Sequence, residues 1–166
     1  MAHSETASLV LPLSVTSPTD LGRLLRELGI LDNYLMQFDL KGQTGSVKMP
    51  KTTLLLDSVI DANKLDLLQP EQRKHIIGFL QDTKANAPVL HISFGADPSP
   101  SFVEKLMTWL RREIHPQVLL TIGLQPNIGA GCLVRSTNRY FDFSLRENFT
   151  KNRELLMSKL REVNAS

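Results

Sequence analysis

The sequence predicts an α+β fold: a helical N-terminal half followed by a small β-α-β-β-α C-terminal domain. Three observations predict it. The first half carries leucines at three-four spacing, the mark of amphipathic helices. The second half carries short runs of β-branched and aromatic residues punctuated by glycine, proline and asparagine. Between them, Asn86, Ala87 and Pro88 break the pattern, because a proline disfavours helix in the residue before it. The expected organisation is a loose segment over 1–17, a helical region over 18–86 and the α/β domain over 87–166.

Each element has a local reason. Residues 1–17 are rich in serine and threonine, with room for one short strand at 9–13. Ser17 and Pro18 open the first helix as cap and first-turn residue. Its apolar stripe is Leu21, Leu24, Leu25, Leu28, Leu31, Tyr34, Leu35 and Phe38, and Gly29 is a place for it to bend or split. Residues 41–48 read as a loop. A second helix is expected from Pro50, carrying Leu54, Leu55, Val59 and Ile60. A third follows Pro70 to about Thr83, with Ile76, Ile77, Phe79 and Leu80 apolar. Beyond Pro88, residues 89–94 form a strand. Residues 102–114 form a helix with Phe102, Val103, Leu106, Trp109 and Leu110 on one face, and residues 118–122 form a second strand.

The segment 125–149 is the densest in signals. Gly129 and Gly131 flank Ala130 ahead of the apolar run Cys132, Leu133 and Val134. Glycines so placed mark a bulge or a close backbone approach. Ser136 to Arg139 reads as a hairpin turn, with Asn138 suited to a left-handed backbone. Residues 140–143 alternate as a returning strand. Ser144 and Glu147 then match a capping box at the start of a final helix. That helix carries Leu145, Phe149, Leu155, Leu156, Leu160 and Val163 near one stripe, with Lys151, Arg153, Lys159 and Arg161 outside it. Asp142 and Arg135 are candidates for a pair across the hairpin.

This segment resembles the C-terminal signature of the delta subunit of F-type ATP synthases, the oligomycin-sensitivity-conferring protein family. The matching positions are Pro126, Gly129, Ala130, Gly131, Leu133, Val134, Arg135, Asp142, Ser144, Leu145, Arg146 and Phe149. The family's adjacent glycine pair stands here as Ala130 and Gly131, and its Gly-Asp turn as Thr137 and Asn138. The resemblance runs more weakly upstream to Pro88 and covers roughly the last half of the chain. The first half carries no family motif and is shorter than the family's six-helix N-terminal bundle.

The resemblance implies a non-catalytic stator, or peripheral stalk, subunit. It would bind the b-type stalk helices through the C-terminal domain and the alpha subunits of the catalytic head through the N-terminal helices. It implies no cofactor, metal or small-molecule substrate, and a place on the cytoplasmic side of the bacterial plasma membrane, held there by the ATP synthase complex. A stalk subunit of V- or A-type ATPases is the near alternative. The pair Asp142 and Ser144 and the lack of a long N-terminal coiled coil favour the F-type.

Composition bounds the other classes. The 166 residues are 42% hydrophobic, which suits one ordinary domain or two small ones. No apolar run approaches the 18 or so residues of a membrane span, and the run at 9–13 is too short for a signal peptide. Net charge is +2. Residues 1–85 hold 9 basic and 10 acidic side chains, and residues 86–166 hold 10 and 7. An imbalance so slight is not the footprint of a nucleic-acid binder. An RNA-binding module is the rival suggested by the layout and the basic pI of 8.8, but the glycine segment is no Gly-x-x-Gly clamp and no paired stacking aromatics appear. The histidines His3, His75, His91 and His115 have no metal-ligand spacing, and the single Cys132 cannot complete a zinc set. A small hydrolase or transferase would need Cys132 as nucleophile with His91 as base. The Gly-Ala-Gly segment lacks a phosphate-loop lysine and precedes a strand, not a helix.

Overall fold

A computed structural model of the chain describes residues 9–40, 50–145, 152–154, 157–158 and 161. The fold is α+β, with helices α1 (Pro18–Leu40), α2 (Leu54–Asn63), α3 (Pro70–Asn86) and α4 (Pro100–Glu113), and strands β1 (Val89–Phe94), β2 (Leu119–Leu124), β3 (Cys132–Arg135) and β4 (Tyr140–Asp142). The chain divides into two compact units. One comprises residues 1–88 and 106–119, the other residues 89–105 and 120–166. One boundary between the units falls after Pro88, and the later half of α4 and the start of β2 group with the helices.

In the helical unit, α1 packs on both α2 and α3. It buries Leu21, Leu24, Leu28, Leu31 and Leu35 and runs unbroken through Gly29, while Tyr34 stays exposed. Its start is a capping box: Asp20 N donates to Ser17 Oγ (3.2 Å) and Ser17 N donates to Asp20 Oδ2 (2.9 Å). The second helix begins at Leu54, not Pro50, because Thr53 is its cap and Leu56 N donates to Thr53 Oγ1. Glu27 on α1 fixes that cap, accepting from Thr53 N and Thr53 Oγ1 at 2.7 Å each. Leu54, the first residue of the helix, is 88% exposed, and Leu56 and Val59 are the buried pair. Lys64 ends α2 in the left-handed region (φ 50°), with Leu65 N donating back to Ile60 O. In α3, Ile76 and Leu80 are buried together with Arg73 and Thr83. Arg73 is compensated three ways: Nε donates to Asp32 Oδ1 of α1 (2.6 Å), and Nη1 to the carbonyls of Leu67 (2.9 Å) and Leu68 (3.0 Å).

Residues 9–17, expected to be loose, are fastened, and no strand forms at 9–13. Leu11 and Val15 are buried. Asn63 brackets Val10, accepting from its N–H (2.7 Å) and donating to its carbonyl (2.9 Å). Arg111 donates to the carbonyls of Leu11, Pro12 and Val15. A guanidinium whose donors meet three carbonyls does the work of a missing strand ladder.

In the second unit the sheet order is β2-β1-β3-β4. Leu119 N donates to Pro88 O and Gln125 N to Phe94 O, the same offset at both ends, so β2 runs parallel to β1 with α4 as the crossover. β1 and β3 are antiparallel with Ile92 opposite Val134, and β3 and β4 are antiparallel with Val134 opposite Phe141. The helix α4 is capped by Ser99, whose Oγ accepts from Phe102 N. Its buried stripe is centred on Met107 and Leu110, so Phe102 and Trp109, expected on that stripe, are about half exposed.

Candidate interaction surfaces

The signature segment folds back on itself. Pro126–Ile128 form one 3-10 turn that buries Ile128. Gly129 (φ 72°) and Gly131 (φ 92°) both hold positive φ, in the loop ahead of β3 and not inside a strand. A Cβ on Gly131 would lie 2.3 Å from Phe143 O and 2.9 Å from Ser144 Cα. One on Gly95 would lie 2.7 Å from Gly129 O, a close approach that no sequence pattern flagged. Two further hydrogen bonds extend the hairpin past β4, from Phe143 N to Cys132 O and from Leu145 N to Ala130 O, both 2.9 Å. The glycines thus let Ala130 and Gly131 lie directly against residues 143–145.

Of the signature residues, Pro126, Gly129, Gly131, Arg135, Asp142 and Ser144 are brought onto this one hairpin. Arg146 and Phe149 lie outside the described residues, as do Glu147 and most of the span expected to form a final helix. The turn closes by Ser136 N donating to Arg139 O (2.8 Å) without any left-handed residue, so Asn138 does not serve as expected. Arg135 faces Tyr140, and Asp142 faces Leu133, so the two charges are diagonal neighbours and no salt bridge joins them. Asp142 Oδ1 instead accepts from Ser144 N at 2.8 Å.

Strand alternation gives the sheet two unlike faces. One carries Ile92, Phe94, Val134, Phe141 and Phe143, and the start of α4 lies on it through an edge-to-face contact of Phe94 and Phe102 (5.8 Å). Both its edges are bare: Leu124 on β2 is 63% exposed, and past β4 Phe143 is 59% exposed and stacks on Phe141 at 6.0 Å. The other face is polar, with His91, Arg135 and Tyr140 in one row across β1, β3 and β4. Ser93 lies beside Gly123, where a Cβ would be 3.0 Å from the hydroxyl. This face floors a cleft of about 800 Å³.

The helical unit has its own groove, about 520 Å³, between α1 and the approach to α2. Ile30, Leu31 and Leu55 supply apolar wall, and Arg23, Arg26 and Lys51 stand around it. None of these three cations forms an ion pair among the described residues.

The hydrolase alternative lacks its pair. Cys132 is opposite Phe94 and His91 opposite Arg135, so thiol and imidazole lie on opposite faces of the sheet. Partial burial raises the Cys132 pKa, keeping it a neutral thiol. Among the described residues no three His, Cys, Asp or Glu side chains gather to hold a metal, and no helix is long and apolar enough to cross a membrane. No protein-family model matches the chain, and no curated protein does.

Proposed function

We propose that the chain is a non-catalytic stator subunit of a proton-translocating F-type ATP synthase, tying b-type stalk helices to the catalytic head. The observation that carries this reading is the bare aromatic margin of the sheet at β4, formed by Phe141 and Phe143, on the hairpin that holds the delta-like signature. An exposed, stacked aromatic pair on a sheet edge is the kind of apolar patch that marks a protein partner. Their rigid, ladder-bonded setting suits an amphipathic helix laid into a groove. In this reading the C-terminal domain is the family's β-α-β-β-α unit, with the final helix as its last element.

The groove flanked by Arg23, Arg26 and Lys51 supports a second attachment, to the alpha subunits or a neighbouring stalk chain. A stator must transmit torque between two attachments without yielding. The Arg73 to Asp32 pair and the strap over residues 9–17 suit that duty. The V- or A-type stalk reading has no observation of its own in its favour.

The test is affinity purification of the tagged protein from its native membranes in mild detergent, with co-purifying chains identified by mass. Alpha, beta and b-type subunits in fixed proportion are expected. The double variant Phe141→Glu, Phe143→Glu should lose the b-type chain first. Recovery of ribosomal proteins, or of no ATPase subunit, overturns the reading.

A further inference from the structure

We propose that the polar face of the sheet is a binding site for a small phosphate monoester carrying a planar base, in the manner of a nucleoside monophosphate. The inference concerns the face opposite the aromatic margin and does not depend on the stator reading.

This face is rich in unused donors. His91, Arg135 and Tyr140 are consecutive cross-strand partners, which sets neighbouring Cβ atoms about 5 Å apart. Gln125, Ser136 and Thr137 complete the rim of the cleft, and Ser93 lies on its floor. Not one of these seven side chains makes a hydrogen bond or ion pair within the described protein. All seven can donate, and the cleft lining contains no carboxylate. The nearest acid on this face, Asp142, is turned to Ser144 N.

A concentration of donors with no acid among them fits an oxyanion. Arg135 adds the planar fork that meets two phosphate oxygens at once. It also has no competing partner to be displaced from. The hydroxyls of Ser136 and Thr137, at the turn next to Arg135, can each donate one further bond to a tetrahedral anion.

The cleft is larger than phosphate alone requires. Val89 and Leu133 provide apolar floor, and Tyr140, 61% exposed, offers a ring face at one end. A base resting on an aromatic ring is a sequence-tolerant contact worth having in water. Gln125, with both donor and acceptor, lies at the β2 end of the cleft, where it can read a base edge. Gly123 keeps that end open, because a side chain there would press on Ser93.

The test is an NMR titration of the full chain with adenosine monophosphate, and in parallel with inorganic phosphate, adenosine and a single-stranded RNA oligomer. Adenosine monophosphate should shift the amides of His91, Ser93, Arg135, Thr137 and Tyr140 and leave those of α1 and α3 unmoved. Adenosine and inorganic phosphate should each bind about ten-fold more weakly or worse, since each lacks one contact set. Arg135→Gln should weaken the nucleotide about ten-fold, and Tyr140→Ala about five-fold or more. Both side chains are exposed, so unchanged circular dichroism is the expected control.

No shifts at about 10 mM ligand would overturn the proposal. So would equal binding of adenosine and the nucleotide, which would mean stacking alone, or equal binding of phosphate and the nucleotide, which would mean a bare anion site. RNA bound over a hundred-fold more tightly than the nucleotide, with a steep salt dependence, would make this face a nucleic-acid surface instead.

Discussion

Replacing Gly131 by alanine should break the signature hairpin, and the cost can be worked from its geometry. At φ 92° the residue is in backbone space that an L side chain pays to enter, about 1–2 kcal/mol. The added Cβ would also sit 2.3 Å from Phe143 O and 2.9 Å from Ser144 Cα. Both are main-chain atoms, so no rotamer change relieves the overlap. Residues 143–145 must move off, which strains the bonds from Phe143 N to Cys132 O and from Leu145 N to Ala130 O, about 1 kcal/mol each. The sum is about 3–4 kcal/mol, or a fall in Tm of about 6–16 °C. Two other glycines calibrate the measurement. Gly129 has φ 72° but open space around a Cβ, so Gly129→Ala should cost only the strain, about 1–2 kcal/mol. Gly22 is within α1 with nothing near a Cβ, so Gly22→Ala should stabilise by about 0.5–1 kcal/mol. Urea unfolding followed by far-UV circular dichroism gives the order, and amide exchange at Phe143 and Leu145 localises the effect. If Gly131→Ala matches Gly129→Ala in both readouts, the close approach of the two segments is not what the glycine is for.

Arg73→Met should destabilise the helical unit by about 3 kcal/mol, because Asp32 and two carbonyls lose their donor; Asp32→Asn, on the more exposed partner, should cost less, and equal costs in urea would refute the assignment. Arg111→Lys keeps the charge but loses the fork that holds Leu11, Pro12 and Val15. Residues 9–17 should then be cut by protease at least ten-fold faster, and an unchanged rate would mean the strap is held by Leu11 and Val15 alone. Cys132 should react with a disulfide reagent more slowly in the folded chain than in urea, since burial holds its pKa above the ordinary thiol value. The fold favours the protonated thiol, so that contribution is intact below pH 9.0 and fades as pH rises through the folded pKa. Equal reactivity in both states would place the thiol in solvent.

The helices were legible where local chemistry agrees with packing. Ser17 caps α1 because its pattern requires nothing from elsewhere in the chain. Thr53 shows the opposite: Pro50 offered the stronger start signal, but Glu27 on a different helix fixes the cap three residues later. Leu54, expected in the core, stands at the first position of the helix and is exposed. Residues 9–17 read as loose because they belong to a Ser/Thr-rich stretch without helical spacing and their fasteners, Asn63 and Arg111, lie far away in sequence. Arg73 was invisible for the same reason, since a buried arginine is defined by partners no local pattern names.

The hairpin was legible as a motif. Its glycines were read as a bulge or a close approach, and the close approach is found at Gly131, where φ is positive and another backbone comes near. Its faces were not. Period-two alternation assigns Phe141 and Phe143 to one face and Tyr140 and Asp142 to the other, but only the register with β1 and β3 sets His91, Arg135 and Tyr140 in a row. Shifted by one residue, the same sequence would oppose Arg135 to Phe141 and bring the aromatic pair among the polar side chains. The two surfaces, one apolar and one rich in donors, are thus products of a single register, closed by the Ser136–Arg139 turn at one end and by the bonds of Phe143 and Leu145 to Cys132 and Ala130 at the other.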